Sequence, residues 1–90
     1  MSNVILTEIE SNIYLIQEAR KEIADLKKQK VDKRADAWWE ADGTAKQKED
    51  FVKASVSDLD KQILIKEANI EYLYNRNTLL NDKLVFMEDE

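Results

Sequence analysis

The sequence predicts an all-α protein: a long antiparallel helical hairpin of the coiled-coil kind, formed as one domain over residues 1–90. Three observations support this fold class. Proline is absent and glycine occurs once in 90 residues, so long stretches contain nothing that breaks a helix. Apolar residues in both halves recur at alternating spacings of four and three, which is typical of a helix presenting a narrow seam to another helix. The single glycine lies between the two halves, where a tight turn is expected.

The first helix is predicted over about residues 4–41. Both Asn3 and Thr7 could serve as its N-cap, and the earlier start is preferred because Ile5 keeps the spacing of the seam. After Leu26 the seam turns polar, although helix propensity stays high to the end of the segment. The predicted seam positions are Ile5, Ile9, Asn12, Ile16, Ala19, Ile23 and Leu26.

The chain is predicted to turn at residues 42–44. Gly43 suits the positive φ angle that commonly ends a helix. Thr44 can then cap a new helix, with Gln47 three residues later completing a capping box. We therefore expect a tight connection between two long antiparallel helices.

The second helix is predicted over about residues 45–87. Folding the chain about Gly43 brings Ile23 opposite Ile63 and Leu26 opposite Leu59, so the apolar residues of the two halves meet. This agreement between the halves is the main support for the hairpin. The seam of the second helix consists of Val52, Val56, Leu59, Ile63, Lys66, Ile70, Leu73, Asn77, Leu80, Leu84 and Met87.

Three polar residues interrupt the two seams. Asn12 and Asn77 could fix the register of the helices through a satisfied buried amide, or the seam could loosen there and admit water. Lys66 could extend its ammonium into solvent while its stem packs, or it could pair with Glu18 or Glu22 across the hairpin. The residues alone leave both questions open.

Several large apolar residues lie outside the seam and are predicted to form an interface. Trp38 and Trp39 are adjacent, so one narrow seam cannot readily bury both, and we expect at least one to contact a partner chain. A second series recurs every seven residues, roughly 130° from the seam, with Asp58 as its interruption. We therefore expect the hairpin to associate, as a dimer forming a four-helix bundle or as a larger bundle. This series is Phe51, Ile65, Tyr72, Leu79 and Phe86.

Composition argues against most kinds of catalytic or ligand site. Histidine and cysteine are both absent, which removes common metal ligands, general bases and nucleophiles, so no enzyme activity, cofactor or metal is expected. The net charge of −5 disfavours nucleic acid as a partner. No apolar run is long enough to span a membrane, and no signal peptide is evident, so a cytoplasmic location is expected, although export without a signal would leave no such trace.

These observations favour a non-enzymatic assembly or adaptor protein that packs against itself or against another helical protein. One alternative is a small acidic inhibitor that occupies the basic groove of a nucleic-acid enzyme. A second comes from Trp39 and Gly43 near the turn, which resemble the secreted Trp-x-Gly helical hairpin proteins of bacteria. That resemblance implies a secreted hairpin, although three residues separate tryptophan from glycine here instead of one.

Overall fold

The computed structural model describes the backbone of residues 2–89 and the side chains of residues 3–86, and this part of the chain contains three helices and no strand. Helix α1 spans Ser2–Glu40, α2 spans Ala45–Ser55 and α3 spans Ser57–Asp89. The all-α fold class predicted from the sequence is confirmed. Helix α1 packs against both α2 and α3, and the resulting hairpin measures 69 × 18 × 12 Å.

Helix α1 begins earlier than either predicted N-cap, so the proposed capping roles of Asn3 and Thr7 are wrong. Both residues lie inside the helix, and the Thr7 hydroxyl donates a 2.7 Å hydrogen bond to the Asn3 carbonyl. A threonine hydroxyl that bonds the carbonyl four residues earlier is compatible with a continuing helix, which explains why Thr7 does not start one. At the other end, the Ala41 N–H still donates to the Ala37 carbonyl at 2.9 Å.

The turn between α1 and α2 depends on Gly43 and on the cap that follows it. Gly43 has a φ angle of 107°, a conformation that side-chain-bearing residues rarely adopt. The Thr44 hydroxyl accepts a 3.2 Å bond from the Gln47 N–H, and the Gln47 side chain accepts a 2.9 Å bond from the Thr44 N–H. The predicted capping box is therefore present, and it satisfies two backbone groups at the start of α2.

We expect Gly43→Ala to lower the free energy of unfolding by about 1–3 kcal/mol, the usual range for a strained backbone conformation. A Cβ atom at this position would clash with Oε1 of Gln47, so the substitution would also displace the capping side chain. Urea denaturation followed by circular dichroism measures the change. Asp42→Ala is the matched control, because only Gly43 among the described residues has positive φ. Equal stability of the two variants would contradict this account of the turn.

The second half of the chain is not one continuous helix, which corrects the prediction for residues 45–87. Val56 separates α2 from α3, with φ −107° and ψ 7°. The hydroxyls of Ser55 and Ser57 donate to the carbonyls of Val52 and Ala54 at 2.6 and 3.0 Å, and so compete for acceptors that the helix ladder uses. A β-branched valine between two serines also has low helix propensity. Val56 is nevertheless only 2% exposed, so the seam spacing continues across the break.

The hydrophobic core is a single seam along the hairpin. Its central cluster consists of Ile23 and Leu26 from α1 with Leu59 and Ile63 from α3, and Ile70 packs against it. These are the residues that folding about Gly43 brings together. Small side chains extend the seam toward the turn, where the sequence had suggested that core contact thins. The other buried apolar residues are Ile9, Ile16, Ala37, Ala41, Val56 and Leu80.

Candidate interaction surface

The two seam asparagines form a buried amide pair near the open end of the hairpin. Asn12 Nδ2 donates to Asn77 Oδ1 at 2.9 Å, and Asn77 Nδ2 donates to the Ile9 carbonyl at 3.4 Å. Both side chains are buried, and no buried side-chain nitrogen or oxygen among the described residues lacks a partner. The structure therefore places these amides against each other across the seam, the geometry through which buried asparagines specify helix register.

Two lysines at seam positions pair with carboxylates on the opposite helix. Lys66 contacts Glu22 through its ammonium, one of the two acidic partners considered for it from the sequence. Lys30 makes the equivalent contact nearer the turn, with its Nζ atom 2.6 Å from Oδ1 of Asp60. All four side chains are partly exposed, so each pair is expected to contribute less than about 1 kcal/mol to stability.

Two arginines make further contacts across the hairpin. The Arg76 guanidinium binds both carboxylate oxygens of Glu8, at 3.1 and 3.3 Å, and this hydrogen bond and charge raise the pKa of Arg76 above its ordinary value. Arg20 donates to the hydroxyl of Tyr74 and lies over its ring, 5.4 Å from the centroid. These contacts flank the seam and help to align α1 with α3.

The tryptophan pair lies at the turn end, and its members differ in exposure. Trp38 is 43% exposed and carries the Lys48 ammonium 5.3 Å above its ring. It borders a groove of about 440 Å³ whose other lining residues include Arg34 and Val52. Trp39 is 86% exposed. The structure thus leaves Trp39 almost fully available for contact, while Trp38 is partly covered.

Six large apolar side chains of α3 form one exposed face, which we call the α3 face. Four of them recur every seven residues and two flank that series, so all six lie within an arc of about 160° on a helix of 3.6 residues per turn. Each is between 57% and 73% exposed. The α3 face consists of Leu64, Ile65, Tyr72, Leu79, Val85 and Phe86.

The α3 face includes most of the series predicted from the sequence and adds two residues to it. Leu64 and Val85 were missed because the prediction followed one position of the seven-residue repeat and ignored its neighbours. Phe51, by contrast, lies on α2 beyond the Val56 break, where it is about half exposed. Leu15 of α1 extends the face sideways, because it lines a groove of about 390 Å³ together with Tyr72.

The hairpin as a whole is extended and has a large surface for its size. Its accessible surface is 7109 Å², whereas a compact monomer of 10.5 kDa exposes about 5,400 Å². Its radius of gyration is 20.1 Å, against about 12 Å for a compact domain of 90 residues. The two packed helical arms bury only one seam between them. The α3 face is part of the surface that a compact protein of this mass would not expose.

Comparison of the chain with protein-family models, with curated proteins and with solved structures gives no match. Within the described residues, no three acidic side chains lie close enough together to hold a metal ion. None of the helices in that part of the chain combines the length and the apolar character needed to cross a membrane.

Proposed function

We propose that this chain is a non-enzymatic assembly or adaptor protein that acts through helix–helix packing, with the α3 face as its contact surface. Its partner is a copy of itself or another helical protein. The observation that supports this proposal is the exposure of six large apolar side chains on one side of one helix. Large exposed apolar side chains grouped on one side of a helix are typical of an interaction site in soluble proteins.

The free energy available from covering the α3 face is consistent with reversible association. Complete burial of a large apolar side chain is worth about 1.5–3 kcal/mol, so covering the exposed part of each gives about 1–2 kcal/mol. Six such side chains supply about 6–12 kcal/mol, and association costs about 4–15 kcal/mol in lost freedom. The two quantities are similar in size, so we expect assembly to depend on protein concentration.

The position of the α3 face also suits a bundle. Its seven-residue series is directed roughly 130° away from the middle of the seam that holds Ile63 and Ile70, so a partner helix can pack on it without disturbing the hairpin core. Adding a second two-helix hairpin there gives the four-helix bundle expected from the sequence, and adding more helices gives a larger one. Trp39, at the turn end, is a second exposed contact group in this proposal.

The double substitution Ile65→Glu/Leu79→Glu tests the proposal. We expect the unaltered chain to sediment as an oligomer at tens of micromolar, and the double variant to sediment as a monomer with reduced helix content, because two carboxylates in an apolar contact are costly to desolvate. Sedimentation velocity and circular dichroism measure the two effects.

The matched control is Val4→Glu/Val31→Glu, which adds the same charge at exposed apolar positions of α1. We expect this control to keep the oligomeric state of the unaltered chain. The proposal would be contradicted by a well-folded monomer whose free energy of unfolding is unchanged by the Ile65→Glu/Leu79→Glu substitution.

A further inference from the structure

The spacing of residues on the α3 face is nearly the same from either direction along the helix. Counted from Asn75, Tyr72 lies three residues before and Leu79 four residues after. The residues at the two ends of the face are equally far from Asn75. Leu64 and Ile65 precede it by 11 and 10 residues, and Val85 and Phe86 follow it by 10 and 11. A surface with this property fits a copy of itself that runs in the opposite direction.

We propose that a second copy of this chain covers the α3 face, with the two α3 helices antiparallel about a two-fold axis at Asn75. This inference rests on the proposed function and specifies its partner. In this arrangement Leu64 and Ile65 lie opposite Phe86 and Val85 of the second copy, and Tyr72 lies within one residue of Leu79. A two-fold contact of this kind uses the same patch on both chains and closes after two copies.

The charges beside the α3 face favour the antiparallel orientation over the parallel one. Two parallel helices in register would bring Asp82 against its own copy and Glu71 against its own copy, and like charges at such distances repel. The antiparallel arrangement sets Asp82 opposite Ala68 and Glu71 opposite Leu79. Neither carboxylate then lies opposite another carboxylate.

The size of the α3 face matches what a dimer contact requires. Six large side chains that are more than half exposed offer on the order of 700 Å², and a standard interface takes about 800 Å² from each partner. Leu15, at the edge of the adjoining groove, adds further apolar surface. The short side chain of Ala68, opposite Asp82 in this arrangement, also allows two helices to approach closely.

Single-cysteine variants test the arrangement directly, because the chain contains no cysteine. Ala68, Asn75 and Asp82 are exposed and recur every seven residues, so they share one side of α3. We expect oxidised Asn75→Cys to form a disulfide-linked dimer, since the residue lies on the axis. Ala68→Cys alone and Asp82→Cys alone should not, because 14 residues of helix separate each from its own copy by about 21 Å along the axis.

A mixture of Ala68→Cys and Asp82→Cys should give the linked heterodimer, which mass spectrometry distinguishes from either homodimer. We expect Asn75→Cys and this mixture to cross-link at least about tenfold faster than Ala68→Cys or Asp82→Cys alone, since a disulfide needs Cα atoms within about 7 Å. Lys21→Cys, on the exposed surface of α1, gives the background rate. Circular dichroism of each variant confirms that the fold is retained.

Equal cross-linking of all three single α3 variants would indicate a parallel pair and overturn the inference. Cross-linking of Asn75→Cys at only the background rate would also overturn the inference. If sedimentation then shows an oligomer, the copies contact each other through another surface. If it shows a monomer, a second copy does not cover the α3 face. The proposed function fails on a different result, namely indifference of folding and association to Ile65→Glu/Leu79→Glu.

Discussion

Replacing Ile63 with alanine lowers the free energy of unfolding by about 2–4 kcal/mol, the usual cost of truncating a buried isoleucine. Ile63 is buried in the central cluster, where it meets Ile23, Leu26 and Leu59. A two-helix hairpin has one seam, so these contacts have no second layer to replace them. Urea denaturation monitored by helical circular dichroism measures the loss.

Ile13→Ala is the matched control for this prediction, because Ile13 has the same side chain but is about half exposed on α1. We expect it to cost less than about 1 kcal/mol, as surface substitutions usually do. Equal losses for Ile13→Ala and Ile63→Ala would show that the seam is not the main source of stability.

Asn77→Leu alone lowers the free energy of unfolding by about 1–3 kcal/mol, because it leaves a buried polar group without its partner. Asn12 Nδ2 loses its acceptor, and the Ile9 carbonyl loses the donor that Asn77 supplied. The double variant Asn12→Leu/Asn77→Leu removes both amides and recovers most of this loss, since an apolar pair of similar size carries no unmet hydrogen bond.

The four chains form a double-mutant cycle, and we expect a coupling energy of about 1–2 kcal/mol between Asn12 and Asn77. If the losses in free energy of unfolding of the two single variants add up to the loss of the double variant, the two amides do not stabilise each other. Asn81→Leu, at an exposed position of α3, controls for the change from amide to aliphatic side chain.

The sequence was sufficient to predict the seam and the turn, because both depend on local patterns. Alternating spacings identify the residues that one face of a helix buries, and a single glycine limits where two long helices can be joined. The break at Val56 was not predicted because Val52, Val56 and Leu59 keep the spacing of the seam across it. Two serine hydroxyls bonded to nearby carbonyls mark that break, and a spacing pattern does not record such bonds.

The sequence limits the possible partners of each polar side chain to a few residues, but it does not determine which partner is bound. Lys66 had Glu18 and Glu22 within reach, and the geometry of the packed helices places its ammonium against Glu22. The hydrogen bond between Asn12 and Asn77 could not be predicted, because it depends on the axial register of α1 relative to α3. The exposure of the seven-residue apolar series, in contrast, can be predicted from its angle to the seam. That angle does not identify the protein that covers the series.

The hairpin topology has a consequence for the order in which the fold forms. Leu26 and Leu59 are 33 residues apart in the sequence, whereas Asn77 and the Ile9 carbonyl that it binds are 68 residues apart. Closing the longer loop directly costs about 0.6 kcal/mol more in chain entropy, so contacts form progressively outward from Gly43. We therefore expect the open end to be joined last and to separate first.

In an antiparallel dimer, each copy would therefore stabilise the weaker end of the other. The early-forming, turn-side part of one α3, at Ile65, would meet the late-forming end of its partner, at Val85. Each contact would then hold the open end of one hairpin against the turn-side part of the other, so that folding is completed by association.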